Sequence, residues 1–489
     1  MILHWFRRDL RLEDNAALAA ACRNDNPVIG VFCCDRRWFS AQTGQLGVHQ
    51  ASFWLTSLSE LSLGLAHLNI PLKFRVTEDP VQTLLALASE FKASSIVFNK
   101  EYEPAQRKQD ARLIREAARI GLTVHGFKDG AIFEESEILS SSGKPYTVFS
   151  PYRRTWLARL GMSPPVTTGS PRPRSVIPVQ SDPIPPPSAF GFPRVDLIQA
   201  PGERAAIHRL RVFCNQPIAQ YGSQRDIPAV EGTSRLSPHL SAGTLSIRRC
   251  VNAALERGAG HGMKGPGTWL TELIWRDFYR MILFHFPQTA NEAFDHKYAD
   301  LAWSSDPDLW EAWIQGRTGY PIVDAAILQV RQTGWMHNRL RMIVAMFLTK
   351  NLDVHWRRGE QQFRFWLMDY DQASNVGGWQ WSAGTGTDAA PYFRVLNPVL
   401  QGQRYDPEGH FVRSYLPTLN QVPNRFIHTP WLMPPALQST TGCLIGHDYP
   451  APVVDHTATR LRAIEKFRRP GSGRVNPTDE RVTTPRGKI

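Results

Sequence analysis

Met1-Ile-Leu-His-Trp-Phe-Arg-Arg-Asp9 opens the chain with a five-residue apolar run, Ile2–Phe6, that stops on three charges. A run this short and this uniformly apolar suits a strand buried on both faces, and it is too short for a core helix. Outward from it the pattern repeats. Val28–Cys33, Pro71–Val76, Ser95–Asn99 and Leu122–Phe127 are further short apolar runs, and Val48–His67 and Val81–Phe91 between them carry apolar residues at helical spacing. Strands alternating with amphipathic helices predict an α/β domain over residues 1–130, a doubly wound parallel sheet with a ligand crevice at the carboxyl ends of its strands. No G-x-G-x-x-G follows the first strand, so the standard dinucleotide fingerprint is missing.

From Ser163 to Pro201 the periodicity fades and prolines accumulate, which predicts an extended connector inside an interdomain linker at 131–202. Residues 203–468 are dominated by helical periodicity and read as an all-α domain, while 469–489 reads as a disordered basic tail. A chain of 489 residues is long enough for two domains. Its formal net charge of +12 predicts a polyanionic partner, with nucleic acid ahead of anionic lipid. Six scattered cysteines form neither a C-x-x-C pair nor a zinc spacing with His, so free thiols in a reducing compartment and no metal site are expected. Charge stands where a signal peptide needs apolar residues, and no apolar stretch reaches the length of a membrane span. The expectation is a soluble, cytoplasmic monomer with no membrane partner. Fifteen tryptophans, most in the second half, suit core packing, base stacking or redox chemistry.

Four segments of the second half carry chemistry. Gly232-Thr-Ser-Arg-Leu-Ser-Pro-His-Leu-Ser-Ala-Gly243 sets hydroxyls, an Arg and a Pro at a helix start, which suits a bound anion or ordinary N-capping. In Trp269-Leu-Thr-Glu-Leu-Ile-Trp-Arg-Asp-Phe-Tyr279, residues Glu272, Trp275 and Tyr279 share one helix face, opposite Ile274, Phe278 and Met281. A carboxylate beside a Trp suits a pocket that stacks on a base and accepts its hydrogen bonds. Thr333-Gly-Trp-Met-His-Asn-Arg-Leu-Arg-Met-Ile-Val-Ala-Met-Phe-Leu348 places Trp335, Asn338, Arg339 and Met342 on one face and turns Ile343, Met346 and Phe347 to the core. Last, Asp369-Tyr-Asp-Gln-Ala-Ser-Asn-Val-Gly-Gly-Trp-Gln-Trp-Ser-Ala-Gly-Thr-Gly-Thr-Asp388 combines acids, an amide and glycines that let backbone approach a flat ligand.

Together with Trp5-Phe-Arg-Arg-Asp-Leu-Arg-Leu12, these segments resemble the photolyase/cryptochrome family, and within it the cyclobutane-dimer photolyases of class I type. The likeness runs to near Leu416. It implies an FAD cofactor, active in its reduced, anionic form, with the diphosphate at Thr233, Ser234, Arg235, Leu236 and Ser237. It assigns further cofactor contacts to Tyr221, Trp269, Arg341, Asp369, Tyr370, Asp371 and Asn375, with Arg341 paired to Asp369 and Asn375 beside flavin N5. The resemblance places Arg225, Glu272, Trp275, Tyr279, Asn338, Arg339, Met342, Trp381 and Gln401 against DNA or the lesion, with Glu272, Met342 and Asn375 as catalytic residues. Trp379, Trp356 and Trp303 match an electron relay. The implied activity is blue-light repair of cyclobutane pyrimidine dimers in double- or single-stranded DNA, by electron transfer from photoexcited FAD to a flipped-out dimer. Relatives that act on six-four photoproducts carry His at the positions of Asn338 and Met342, and signalling cryptochromes more often have Cys or Asp at that of Asn375.

The chain departs from the common pattern at Tyr370, Gln372 and Val376, which usually hold Gly, Leu and Asn, and at Asp277, usually Glu. The resemblance also implies a second, light-harvesting chromophore in the α/β domain. Ala105 and Gln106 replace the Asn and Glu of folate-type relatives, and Gln50 and Ser241 replace the basic residues of deazaflavin-type ones. A signalling cryptochrome and a flavin-free DNA-binding module are the competing readings.

Overall fold

The structure is a computed structural model that describes residues 1–23, 25–173 and 175–468. The tail expected to be disordered, 469–489, lies outside the described residues. Five strands, β1 (Ile2–Phe6), β2 (Val28–Asp35), β3 (Leu72–Thr77), β4 (Ser95–Asn99) and β5 (Thr123–Phe127), form one parallel sheet in the order β3-β2-β1-β4-β5. Strand β2 runs two residues beyond the expected Cys33, to Asp35. Helices α1 (Ala16–Ala21), α2 (Val48–His67), α3 (Pro80–Glu90) and α4 (Pro104–Arg119) cover its two faces. The two-residue period of a strand explains why both faces are dry: Ile2 and Phe6 pack with α2, while Leu3 and Trp5 pack with α3 and α4.

The helical half comprises α5 (Phe149–Met162), α6 (Glu203–Asn215), α7 (Pro217–Gln224), α8 (Ser237–Ala242), α9 (Ile247–Glu256), α10 (Lys264–His285), α11 (Pro307–Gln315), α12 (Pro321–Thr333) and α13 (Asn338–Met346). It continues with α14 (Trp356–Trp366), α15 (Gln372–Ala383), α16 (Pro398–Tyr405), α17 (His410–Tyr415), α18 (Pro435–Thr441) and α19 (His456–Arg468). Helix α5 corrects the linker expected over 131–202. Its Phe149, Tyr152, Trp156 and Leu160 recur at helical spacing and join the buried cluster around α10, so only the proline-rich part is extended. That part docks along the edge strand β3. Asp182 accepts from the Phe74 N–H at 2.9 Å and gives its own N–H to the Leu72 carbonyl at 2.9 Å, so the connector covers an edge that would otherwise invite pairing.

Buried ion pairs join the halves. Arg248 from α9 reaches Asp14 (2.9 Å) and Asp129 (2.7 Å), and Arg11 reaches Asp129 (2.5 Å) and the Gly243 carbonyl (3.0 Å). Among the described residues no helix is long and apolar enough to cross a membrane, and no cluster of His, Cys, Asp or Glu could hold a metal.

Candidate active site

Helices α10, α13, α14 and α15, with the segment before α15, enclose a cavity of about 460 Å³ in the helical half. It brings together Arg225, Ser237, Glu272, Trp275, Tyr279, Asn338, Arg341, Met342, Asp369, Tyr370, Asp371, Asn375, Trp379 and Trp381. Fourteen residues scattered over 157 positions of sequence converge because each lies on the polar stripe of a helix whose other face is core. On α10, Ile274, Phe278 and Met281 are buried while Glu272, Trp275 and Tyr279 face the cavity.

One wall is built for a flat, polar partner. The Arg225 guanidinium donates to Glu272 Oε1 at 2.6 Å. Burial pushes the Glu272 carboxyl up from its ordinary range, and Arg225 opposes that shift. The Trp275 ring stacks on Phe149 at 3.6 Å between centroids and 7° between planes, so one indole face is taken and the ring is held in a fixed plane. Met342 and Asn338 stand across from it on α13. Helix α13 starts at Asn338, capped by His337 Nδ1 accepting from the Arg339 N–H at 3.2 Å, so Trp335 precedes the helix rather than sharing its face. Burial lowers His337 to about 4, which keeps the ring neutral for that role.

The opposite wall is the segment Asp369–Asn375. Arg341 makes the expected pair with Asp369, at 2.7 and 3.0 Å. Burial works against charge on Asp371, yet Arg280, Arg276 and Arg8 together hold it well below the usual carboxylate range. The Tyr370 carbonyl accepts from Gln50 Nε2 at 3.1 Å and from Ser241 Oγ at 2.7 Å. Gln50 and Ser241, read above as chromophore positions, thus serve to clamp this segment from both halves of the molecule. The Tyr370 ring fills space with its hydroxyl 3.3 Å from Glu360 Oε1. Asn375 gives its Nδ2 to the Glu360 carbonyl (3.1 Å) and Oε1 (2.9 Å), so its own side-chain oxygen is left to accept. Burial raises the Glu360 carboxyl.

Two residues of this site escaped the sequence reading. Phe149 lay in the presumed linker. Glu360 lies four residues after Trp356 on one face of α14, and that spacing is the signal that finds it.

Other expected residues lie apart from the cavity. Trp269 is buried in the core beside Phe213, at 5.0 Å, and does not reach the wall. Thr233 and Ser234 offer their carbonyls to Arg209 at 3.1 and 2.8 Å. Arg235, at φ +50°, lies over Trp335 at 4.8 Å and pairs with Glu231, and Leu236 is core. Of that stretch only Ser237 lines the cavity. Tyr221 is buried next to Arg225, whose guanidinium lies 5.5 Å over its ring. Arg339 pairs with Asp226 at 2.8 Å and covers Tyr405, while Gln401 sits half-buried on α16 outside the cavity. Trp356 is buried at the start of α14, and Trp303 is half-buried with His355 5.1 Å away. The crevice at the carboxyl ends of the strands is small, about 80 Å³, and lined by Trp38, Phe39, Trp54 and Gln106 among others.

Comparison with known proteins agrees with this geometry. Residues 2–173 match the family model described as DNA photolyase, and residues 269–469 match that of the FAD binding domain of DNA photolyase. The deoxyribodipyrimidine photo-lyase of Escherichia coli is 40% identical over 480 residues, covering 95% of this chain and 98% of that protein. The crystal structure of a bacterial class III photolyase from Agrobacterium tumefaciens superposes with a TM-score of 0.87 at 36% identity, over 96% of this chain and 97% of that one. A Synechocystis cryptochrome superposes with a TM-score of 0.87 at 27% identity, over 95% and 98%. An FAD-type cavity behind a parallel-sheet domain, with near full-length likeness at this identity, leaves one assignment: the chain belongs to the DNA photolyase family.

Proposed function

We propose that this protein repairs cyclobutane pyrimidine dimers in DNA, using blue light and a fully reduced FAD held in the 460 Å³ cavity. The observation that carries the reading is the single hollow in which Glu272 and Trp275 on α10 face Asp371, Asn375 and Trp379 on and before α15. One wall suits a nucleobase and the other a flavin, and only a reaction between the two needs both.

The residues present fit FAD. Nothing stands within 4 Å of where a Cβ on Gly378 would be, so the backbone there is open to close approach. The Trp379 indole N–H is buried without a partner and needs an acceptor. Arg341, Asp369, Asp371 and Asn375 would hold the group, and when bound it supplies the photoexcited electron that opens the cyclobutane ring. Asn375 is fixed by Glu360 with its carbonyl oxygen available, and this favours a flavin whose N5 carries a proton. Trp275, held flat by Phe149, presents its free face to the lesion, and Glu272 accepts from base N–H groups. A dimer already pairs poorly, so extruding it costs less than extruding an intact base. Asn338 and Met342 line the entrance without a proton donor, which favours the cyclobutane lesion over the six-four product. Trp379, Trp356 and Trp303 would return an oxidised cofactor to its reduced state.

The test is an oligonucleotide bearing one thymine dimer, mixed with fully reduced protein and assayed by chromatography with and without blue light. Restored thymines only in the illuminated sample are expected. Dimers that stay fused under light, with the flavin shown to be reduced, would overturn the proposal and favour a photoreceptor role.

A further inference from the structure

Trp379 touches more than one aromatic path. Its ring lies 4.9 Å from Phe363 and 6.3 Å from Trp313. Trp313 is fully buried and stacks nearly parallel on two further indoles, Trp310 at 5.4 Å and 23° and Trp366 at 5.6 Å and 25°. Both of these are half-buried and so reach toward solvent. Four indoles in van der Waals sequence, the first on the cavity wall, are more than core packing requires.

Charge decides which outer ring can give up an electron. A cation beside an indole makes its oxidation harder, because the product is itself positive. Arg358 lies 4.2 Å over Trp310, and Lys466 lies 4.6 Å over Trp303. Among the described residues no guanidinium or ammonium lies over Trp366. Inside the path, the Trp313 indole N–H donates to the Val344 carbonyl at 3.3 Å, which tolerates a passing positive charge and cannot remove the proton. Burial also disfavours charge resting on Trp313, so the charge is driven outward.

We propose that Trp379 has a second outlet, through Trp313 to Trp366, beside the one through Trp356 and Trp303. The inference rests on the reading of Trp379 as electron donor to oxidised FAD. In the step, light-excited oxidised flavin takes one electron from Trp379. Trp313 refills Trp379, and Trp366 refills Trp313. Oxidised Trp366 loses its indole proton to water and is restored by one electron and one proton from an added thiol.

The test follows photoreduction of the full-length, oxidised FAD holoprotein by transient absorption of the tryptophan radical. Trp356→Phe alone is expected to keep a long-lived radical and reduced flavin, and the Trp356→Phe/Trp366→Phe double variant to lose both. Loss in Trp356→Phe alone, or persistence in the double variant, overturns the second outlet. Trp379→Phe serves as the separate control: persistence there refutes the relay as a whole rather than its branching. A measurement without substitution guards against misfolding. After prolonged illumination in air, peptide mass spectrometry should find Trp366 hydroxylated as well as Trp303, and labelling of Trp303 without Trp366 refutes the branch.

Discussion

Gly359 is the position where a single methyl group should damage the site most visibly. A Cβ built there would fall 2.1 Å from Trp379 Cη2, 2.4 Å from Cζ3 and 2.7 Å from Leu348 Cδ2. An ordinary contact starts near 3.4 Å, so the indole must retreat by roughly 1.3 Å. Behind it stand Phe363 and Trp313, both buried, and the free direction is the cavity. Two effects oppose each other in Gly359→Ala. Alanine in a helix interior is favoured over glycine by about 0.8–1.0 kcal/mol. Overpacking a dense core costs about 1–3 kcal/mol, and a rigid indole flanked by two buried rings belongs at the upper end. The clash wins, so the variant should be destabilised by about 1–2 kcal/mol and should retain less flavin, because the displaced ring occupies cofactor space. Chemical denaturation of the apoprotein gives the first quantity, and the flavin-to-protein absorbance ratio gives the second. A variant as stable as the parent with full flavin content would show that Trp379 is not packed as described.

Trp275→Ala should weaken binding to a dimer-bearing oligonucleotide by about 1–3 kcal/mol through lost stacking, measured by fluorescence anisotropy; unaltered affinity would remove the ring from the lesion site. Because burial raises the Glu272 carboxyl, it gains a proton as pH falls into the mildly acidic range, so lesion affinity should drop there. Glu272→Gln should bind more weakly but with a flat pH profile, and a parallel decline in both proteins would locate the titration elsewhere. Burial also holds His239 and His337 neutral, each lowered from 6.5 to about 4. The unfolded chain therefore binds more protons between those values. Stability should be full above about pH 6.5 and fall as pH drops toward 4, by up to about 3 kcal/mol for each ring. Thermal melts across that range check the sign, and a melting temperature that rises on acidification would contradict it.

The sheet was legible because buried parallel strands leave uninterrupted apolar runs, and Ile2–Phe6 and Ser95–Asn99 match residue for residue. Helix α5 was hidden because its apolar residues sit close to the proline tract and its partner, α10, lies more than a hundred residues away. The α10 stripe was readable from spacing alone, since Glu272, Trp275 and Tyr279 need only an ideal helix to align. Trp335 was misplaced for the converse reason: the periodic pattern continues through His337, but that ring caps the helix and the chain turns before it. Trp269 sits on the same helix as the cavity residues, yet Phe213 from α6 claims it, and no local pattern encodes that contact. Tyr370 broke the expected small-residue pattern, and the structure shows why a large ring is tolerated. It fills the space beside Glu360 while its carbonyl does the positioning.

The clamp on that carbonyl has an architectural consequence. One of its two donors, Gln50, comes from the sheet domain, and Arg248 and Arg249 of α9 find Asp14, Asp129 and Glu13 there. Cutting the protein before residue 203 would strand two guanidinium groups without counter-ions and release half the grip on Tyr370. The helical portion is thus no self-sufficient module that can be excised or grafted, and evolution could not have exchanged one half without re-editing the other.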